Sequence, residues 1–326
     1  MNSYKELDTF KVPDGTSTFF GLEQSFVKKN RLLSKTKGII IFIHGFNSSA
    51  QIWGDEAQGF VSVAIDKRYL PFVIDFSDSF NGSIVNLADF DLWYAYKYVK
   101  DFLASTYSND KIPSINFVAH SMGGIILRYF LSLKHDHVNH QASDLQSDPI
   151  HTVALLGVPN HGISKRNSDN FVSKMEKIIK DFNTFAGKKR SLKIANKAFF
   201  QLLSGNSIIT SLLENLYTNM WPELFWMNFI AERDIVVERN SSFFPPEEIS
   251  YLQDHFYQNE FDATHMRNPF HAFTNALHEK IPFTDSKLFA KIEDKTPDFF
   301  GYLTKDPIYG NNDLVEEYFR LITPFQ

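Results

Sequence analysis

Residues 112–129 leave this chain few ways to fold. The apolar run Ile115-Asn116-Phe117-Val118 reads as a buried strand. Small residues follow, and then Ile125, Ile126, Tyr129, Phe130 and Leu133 recur at helical spacing, so a helix is expected from about Met122. Ser121 therefore sits in a sharp strand-to-helix turn. That turn lifts its hydroxyl clear of the backbone and aims the amides of the helix N-terminus toward it. Ala119 and Gly123, two residues to either side, are small enough for strand and helix to approach closely. A plain capping serine would look similar, so the rest of the chain has to decide.

Other strand-like runs are spaced as an alternating α/β chain requires. Residues 38–43 form a continuous run dominated by β-branched isoleucine, as in a strand covered on both faces. Further strands are expected over 70–76, 152–158, 224–231 and 254–261, with an early edge strand over 16–22. Residues 87–107 carry an amphipathic helical pattern through Leu92, Ala95, Tyr96, Val99 and Leu103. Residues 135–149 read as a polar loop. A helix over 268–279 is capped by Asn268 with Pro269 at its first position. Strands alternating with helices make an α/β doubly wound, mostly parallel sheet. In such a sheet functional groups gather beyond the carboxyl ends of the strands. Ser121, Asp234 and His265 each follow an expected strand, in that order along the chain.

Bulk properties exclude several function classes. The formal net charge of -5 gives no basic footprint, so no nucleic-acid partner is expected. The chain has no cysteine, which removes disulfides, thiolate catalysis and Cys-ligated zinc. His135, His137 and His140 are read as an exposed loop cluster without a metal. No apolar secretory leader and no run long enough to span a bilayer is seen, so a cytoplasmic protein is expected.

The segment Ala119-His120-Ser121-Met122-Gly123 resembles the G-x-S-x-G nucleophile elbow of the α/β-hydrolase superfamily, closest to its lipase and esterase branch, with Ala119 in place of the first glycine. The resemblance covers roughly residues 38–279. It implies the α/β-hydrolase fold and a serine ester hydrolase working through an acyl-enzyme without a cofactor. Ser121 would be the nucleophile, Asp234 the acid and His265 the base. Glu232 and Asp254 are rivals for the acid, with Asp75 behind them, and His271 is the rival for the base. The family's oxyanion hole maps onto the backbone N–H groups of Met122 and of Phe46, the latter in His44-Gly45-Phe46. His44 is read as holding that loop. Asn160 and His161, in Pro159-Asn160-His161-Gly162, are a loop brace or pocket wall.

One domain spanning 1–326 is expected, with a helical cap inserted over 163–223. In the insertion Phe171, Met175, Ile178, Ile179, Phe182 and Phe185 make one apolar helical face, and two more helices are expected over 192–203 and 208–217. Substrates would be small-molecule or lipid esters, with medium or long acyl groups and a transient lipid interface. A thioesterase, amidase, acyltransferase or non-catalytic binding protein on the same scaffold remains open. A short amphipathic helix over 313–322 is expected to pack on the core or a partner.

Overall fold

The computed structural model describes residues 8–11, 18–21, 36–46, 48–53, 60–76, 82–107, 113–140, 149–166, 169, 197–232, 234, 237–263 and 311–323. Eight strands form one sheet: β1 (Asp8–Lys11), β2 (Thr18–Gly21), β3 (Gly38–Ile43), β4 (Tyr69–Asp75), β5 (Ser114–His120), β6 (Ile150–Leu156), β7 (Phe225–Ala231) and β8 (Phe256–Phe261). Their order is β1-β2-β4-β3-β5-β6-β7-β8, with the last six parallel and the first two joined antiparallel. The fold is that of an α/β hydrolase. The expected strand over 16–22 exists as β2, but it is not the edge. The equally short β1 pairs outside it.

The chain passes from β3 to β4 on one side and then returns to place β5 on the other side of β3. The connections leaving β3 and β5 thus run to opposite sides at the carboxyl edge, the place where such sheets bind ligands. Strand registers bring Ile43 opposite Ala119, and His120 opposite Leu156. The segments that follow those strands therefore emerge side by side.

The helices include α1 (Phe60–Asp66), α2 (Trp93–Thr106), α3 (Met122–His140), α4 (Lys197–Gln201), α5 (Ser207–Glu214), α6 (Leu216–Asn219), α7 (Arg239–Ser242) and α8 (Asn312–Ile322). The helical pattern over 87–107 is realised with a difference. A π-helical stretch, Leu87–Leu92, precedes α2. Another expectation is corrected by α3, which runs on through His135 and His137 to His140 where a loop was expected. That run lacks an apolar stripe, so periodicity loses sight of the helix while its backbone bonding continues. The face over 171–185 and the expected helix over 268–279 lie outside the described residues.

Strand β3 is wholly buried from Ile39 to Ile43. Beside it an aromatic cluster forms, with Phe42 5.2 Å from Trp53 and Phe60 5.5 Å from Tyr318 between ring centres. Tyr318 and Phe319 come from α8, whose buried face Leu314, Val315, Tyr318, Phe319 and Ile322 closes over the core. Its outer face is tied down by Lys67 to Glu316 at 3.0 Å and by the Tyr257 hydroxyl donating to Glu317 at 2.8 Å. Among the described residues no helix is long and apolar enough to cross a membrane.

Candidate active site

Ser121 adopts a positive φ of 52°, a left-handed conformation rarely taken by residues other than glycine. Two hydrogen bonds hold it there. Its N–H donates to Leu156 O at 2.9 Å, and its carbonyl accepts from Gly124 N–H at 3.0 Å. The serine thus closes the sheet ladder and opens α3 in one residue. Close approach also explains two glycines. A Cβ at Gly45 would stand 2.7 Å from Ser121 Cβ, and one at Gly123 would stand 2.6 Å from His44 O. Ala119, where the family pattern has glycine, lies fully buried between Ile43 and Leu155 in the register.

The loop after β3 is braced from beneath. His44 is fully buried; its Nε2 accepts the Phe76 N–H at 2.8 Å and its Nδ1 lies 2.8 Å from Gly45 O. Accepting at Nε2 places the proton on Nδ1, so this hydrogen-bond pattern assigns a neutral imidazole. The nearby Asp75 Oδ1, 3.4 Å from Nε2, is then a neighbour rather than an ion-pair partner. Asp75 Oδ2 accepts the Ala50 N–H at 3.1 Å, so this carboxylate stitches the loop to the end of β4. The Phe46 ring packs at 5.3 Å against Phe199 of α4. The Met122 N–H belongs to the first turn of α3, whose amides have no partner within the helix.

Short helix α4 lies against the loop after β3 through Phe199. Gln201 accepts the Ile84 N–H at 2.7 Å, and Leu202 and Ser204 exchange backbone bonds with Ile163 at 2.7 and 2.9 Å. Phe46 follows β3 and Ile163 follows β6. The strand between those two is β5, which carries Ser121 at its end.

Asp234 lies three residues beyond β7, half-buried, with Oδ1 accepting the Val237 N–H at 2.8 Å. Two strand spacings, about 10 Å, separate the ends of β5 and β7. Glu232 is exposed. Asp254 precedes β8 and so lies at the opposite, amino edge of the sheet. His265 and His271 lie outside the described residues; β8 leaves the sheet at the carboxyl edge, with Ala263 buried just beyond it.

Asn160 is fully buried, and its amide group is engaged in the wall. His161 Nε2 lies 2.9 Å from Glu248 and its Nδ1 3.3 Å from Ser241 O. Both ring nitrogens are held by the wall, so this histidine cannot take up a serine proton without breaking one of these contacts. Among the described residues no cluster of three or more His, Asp or Glu side chains converges as a metal set would.

Sequence reasoning missed Arg128, Asn219, Asn228, Glu248 and Gln258. Arg128 is fully buried on α3, and burial lowers its pKa to about 10, with Tyr251 and Glu248 acting in the opposite direction. It remains a cation at neutral pH. Arginine on the buried stripe of a helix, and asparagine inside the apolar run Phe225–Ala231, were the available signals.

No curated protein matches this sequence. Solved structures with a similar course include an esterase from Pyrococcus furiosus (15% identity, covering 85% of this chain and 87% of the other, TM-score 0.49). A thermostable carboxyl esterase from Bacillus coagulans is also similar (11%, 91% and 98%, 0.44). So is a peroxisomal alpha-beta-hydrolase from Saccharomyces cerevisiae (15%, 90% and 92%, 0.45). Residues 34–207, more than half of the 326, match the family described as "Putative serine esterase (DUF676)", and the chain belongs to that family: it is an α/β hydrolase and a serine hydrolase acting on ester bonds.

Proposed function

We propose that Ser121 attacks the acyl carbonyl of an ester, with His265 as general base and Asp234 orienting the imidazole. The observation that carries this reading is the left-handed Ser121 at the end of β5, pressed against Gly45 at the point where the sheet order reverses. A serine hydroxyl is a weak nucleophile, so it needs a base within hydrogen-bond reach and a base fixed in one tautomer. As the oxygen–carbon bond forms, His265 accepts the hydroxyl proton. The carbonyl oxygen gains negative charge, which the backbone N–H groups of Phe46 and Met122 stabilise. Collapse of the tetrahedral species expels the alcohol, protonated by His265. Water then enters by the same route and releases the acid, restoring Ser121. The brace of His44 and Asp75 supports the assignment of Phe46, because it keeps that loop from retreating as charge develops.

Helix α4 supports a reading of the substrate class. Phe199, 3% exposed, lies against Phe46, and the next residue, Phe200, is 54% exposed. An apolar wall reaching from the oxyanion loop to the surface suits an acyl chain of medium or greater length. In this reading the insertion over 163–223 supplies the cap, with α4 as its fixed part.

Fluorophosphonate labelling and p-nitrophenyl ester hydrolysis test the assignment. Ser121→Ala is expected to keep the melting temperature of the parent, lose all labelling and turn over more slowly by a factor on the order of 10⁴ or more. A folded Ser121→Ala protein with near-parental turnover rules out the nucleophile. Hydrolysis of acyl thioesters or amides at rates above those of matched esters would move the protein to another chemistry on the same scaffold.

A further inference from the structure

A chain of buried amides links the helix that begins at Ser121 to the strand that leads to Asp234. It starts at Arg128, seven residues along α3 from Ser121, or about 10 Å along the axis. Arg128 donates to Asn219 Oδ1 at 2.8 Å, to Leu212 O at 3.3 Å and to Asn160 Oδ1 at 3.2 Å. Asn160 Nδ2 donates in turn to Ser242 O at 2.8 Å. Asn228 Nδ2, from the middle of β7, donates to the same carbonyl at 2.8 Å and to Gln258 of β8 at 2.7 Å. One backbone oxygen, at the end of α7, is thus held by two side-chain amides from different sides.

That oxygen terminates the segment carrying the proposed acid. Asp234 Oδ1 accepts the Val237 N–H, and Glu238 O accepts the N–H groups of Ser241 at 2.8 Å and Ser242 at 3.1 Å. Among the described residues Asp234 is thus tied to Val237, and the neighbouring Glu238 to Ser241 and Ser242, so the Ser242 carbonyl anchors the far end of this bonded pair of turns. Arg128, Asn160, Asn228 and Ser242 are all almost completely buried. Apolar groups of similar shape could fill such a region at little cost in stability, whereas a satisfied polar chain specifies one geometry. We propose that Asn160 and Asn228 are positioning residues that set the Asp234 carboxylate relative to Ser121 by pinning Ser242 O. The proposal rests on the reading of Asp234 as the acid of the site.

The test uses the full chain with Asn160→Leu, Asn228→Leu, the double variant and Asp234→Asn, assayed on p-nitrophenyl butyrate. Active sites are titrated with a fluorophosphonate so that kcat is expressed per competent site. Each single leucine variant leaves Ser242 O one donor, and kcat is expected to fall about 10-fold. The double variant leaves it none, and a fall of about 100-fold is expected, with KM within about twofold throughout. A double variant with kcat per titrated site close to the parent overturns the proposal. So does a fall in competent fraction and melting temperature at unchanged kcat, since that is what a purely structural role produces. If the double variant does not fold, the two single variants decide by the same criterion. Asp234→Asn separates the levels. Parental activity there removes the acid assignment and the proposal with it. An inactive Asp234→Asn beside unaffected leucine variants removes the positioning role alone.

Discussion

At the scale of single residues the site depends on backbones meeting where no Cβ fits. Gly123→Ala would place a methyl 2.6 Å from His44 O and 2.7 Å from Ile43 O, both backbone atoms that cannot swing aside. The expected outcome is a loss of about 1–3 kcal/mol in denaturant unfolding. Turnover should also slow, by about 10-fold or more, because the start of α3 is pushed from the oxyanion loop. Equal turnover and stability in Gly123→Ala would mean that the two segments are looser than they look. Histidines offer the second check. His265→Ala should match Ser121→Ala in turnover because members of a triad act as a unit. His271→Ala should stay within a few-fold of the parent, and the reverse order would move the base to position 271. Ser121 and the glycines were legible from sequence because sharp turns demand small residues in fixed places. Arg128 and Asn228 were not, because a polar residue within an apolar run reveals nothing of its partners until distant segments meet.

Elements were read well where one physical signal dominated. The β-branched run of β3 and the apolar runs of β5 and β7 admit little besides buried strands, and all three appear. β1 is four residues, Asp-Thr-Phe-Lys, too short and polar to announce itself. The π-helical turn before α2 escaped notice because a single widened turn hardly disturbs the apolar spacing on either side. The amphipathic pattern of α8 was plain, and its charged face yields a test. Arg320 grips Glu317 with two hydrogen bonds at 2.6 and 2.7 Å, and Glu317 also accepts the Tyr257 hydroxyl. The Arg320 bonds, joined by that hydroxyl, hold the carboxyl below its ordinary pKa of 4.5, against some opposition from burial. A depressed carboxylate pKa adds stability that is complete above the unfolded value and is lost as pH falls through the folded one. Glu317→Gln should thus lower the melting temperature by about 1–3 °C at pH 7, with the gap closing below about pH 4. A gap that persists or widens in acid would contradict this account.

For the whole molecule the question is what the mouth admits. If the wall formed by Phe46, Phe199 and Phe200 receives an acyl chain, kcat/KM should climb from acetate toward butyrate and octanoate esters. The gain would approach about 0.8 kcal/mol, or roughly fourfold, for each methylene buried. Phe199→Ala should flatten that climb. A kcat/KM highest for acetate that declines with length would instead indicate a closed pocket for small esters. The contacts of α4 were not legible in the sequence, since the bonds from Gln201 to Ile84 and from Leu202 to Ile163 join segments far apart in the chain.

Helix α8 carries a further consequence, for the order of events during synthesis. Phe60 and Tyr69 are covered in the finished fold by Tyr318 and Phe319, about 250 residues later in the chain. A ribosome adding about 5–20 residues per second needs roughly 12–50 s to make that stretch. Throughout that interval an aromatic surface on the nascent sheet has no native cover. Burial of that surface is completed only when α8 arrives.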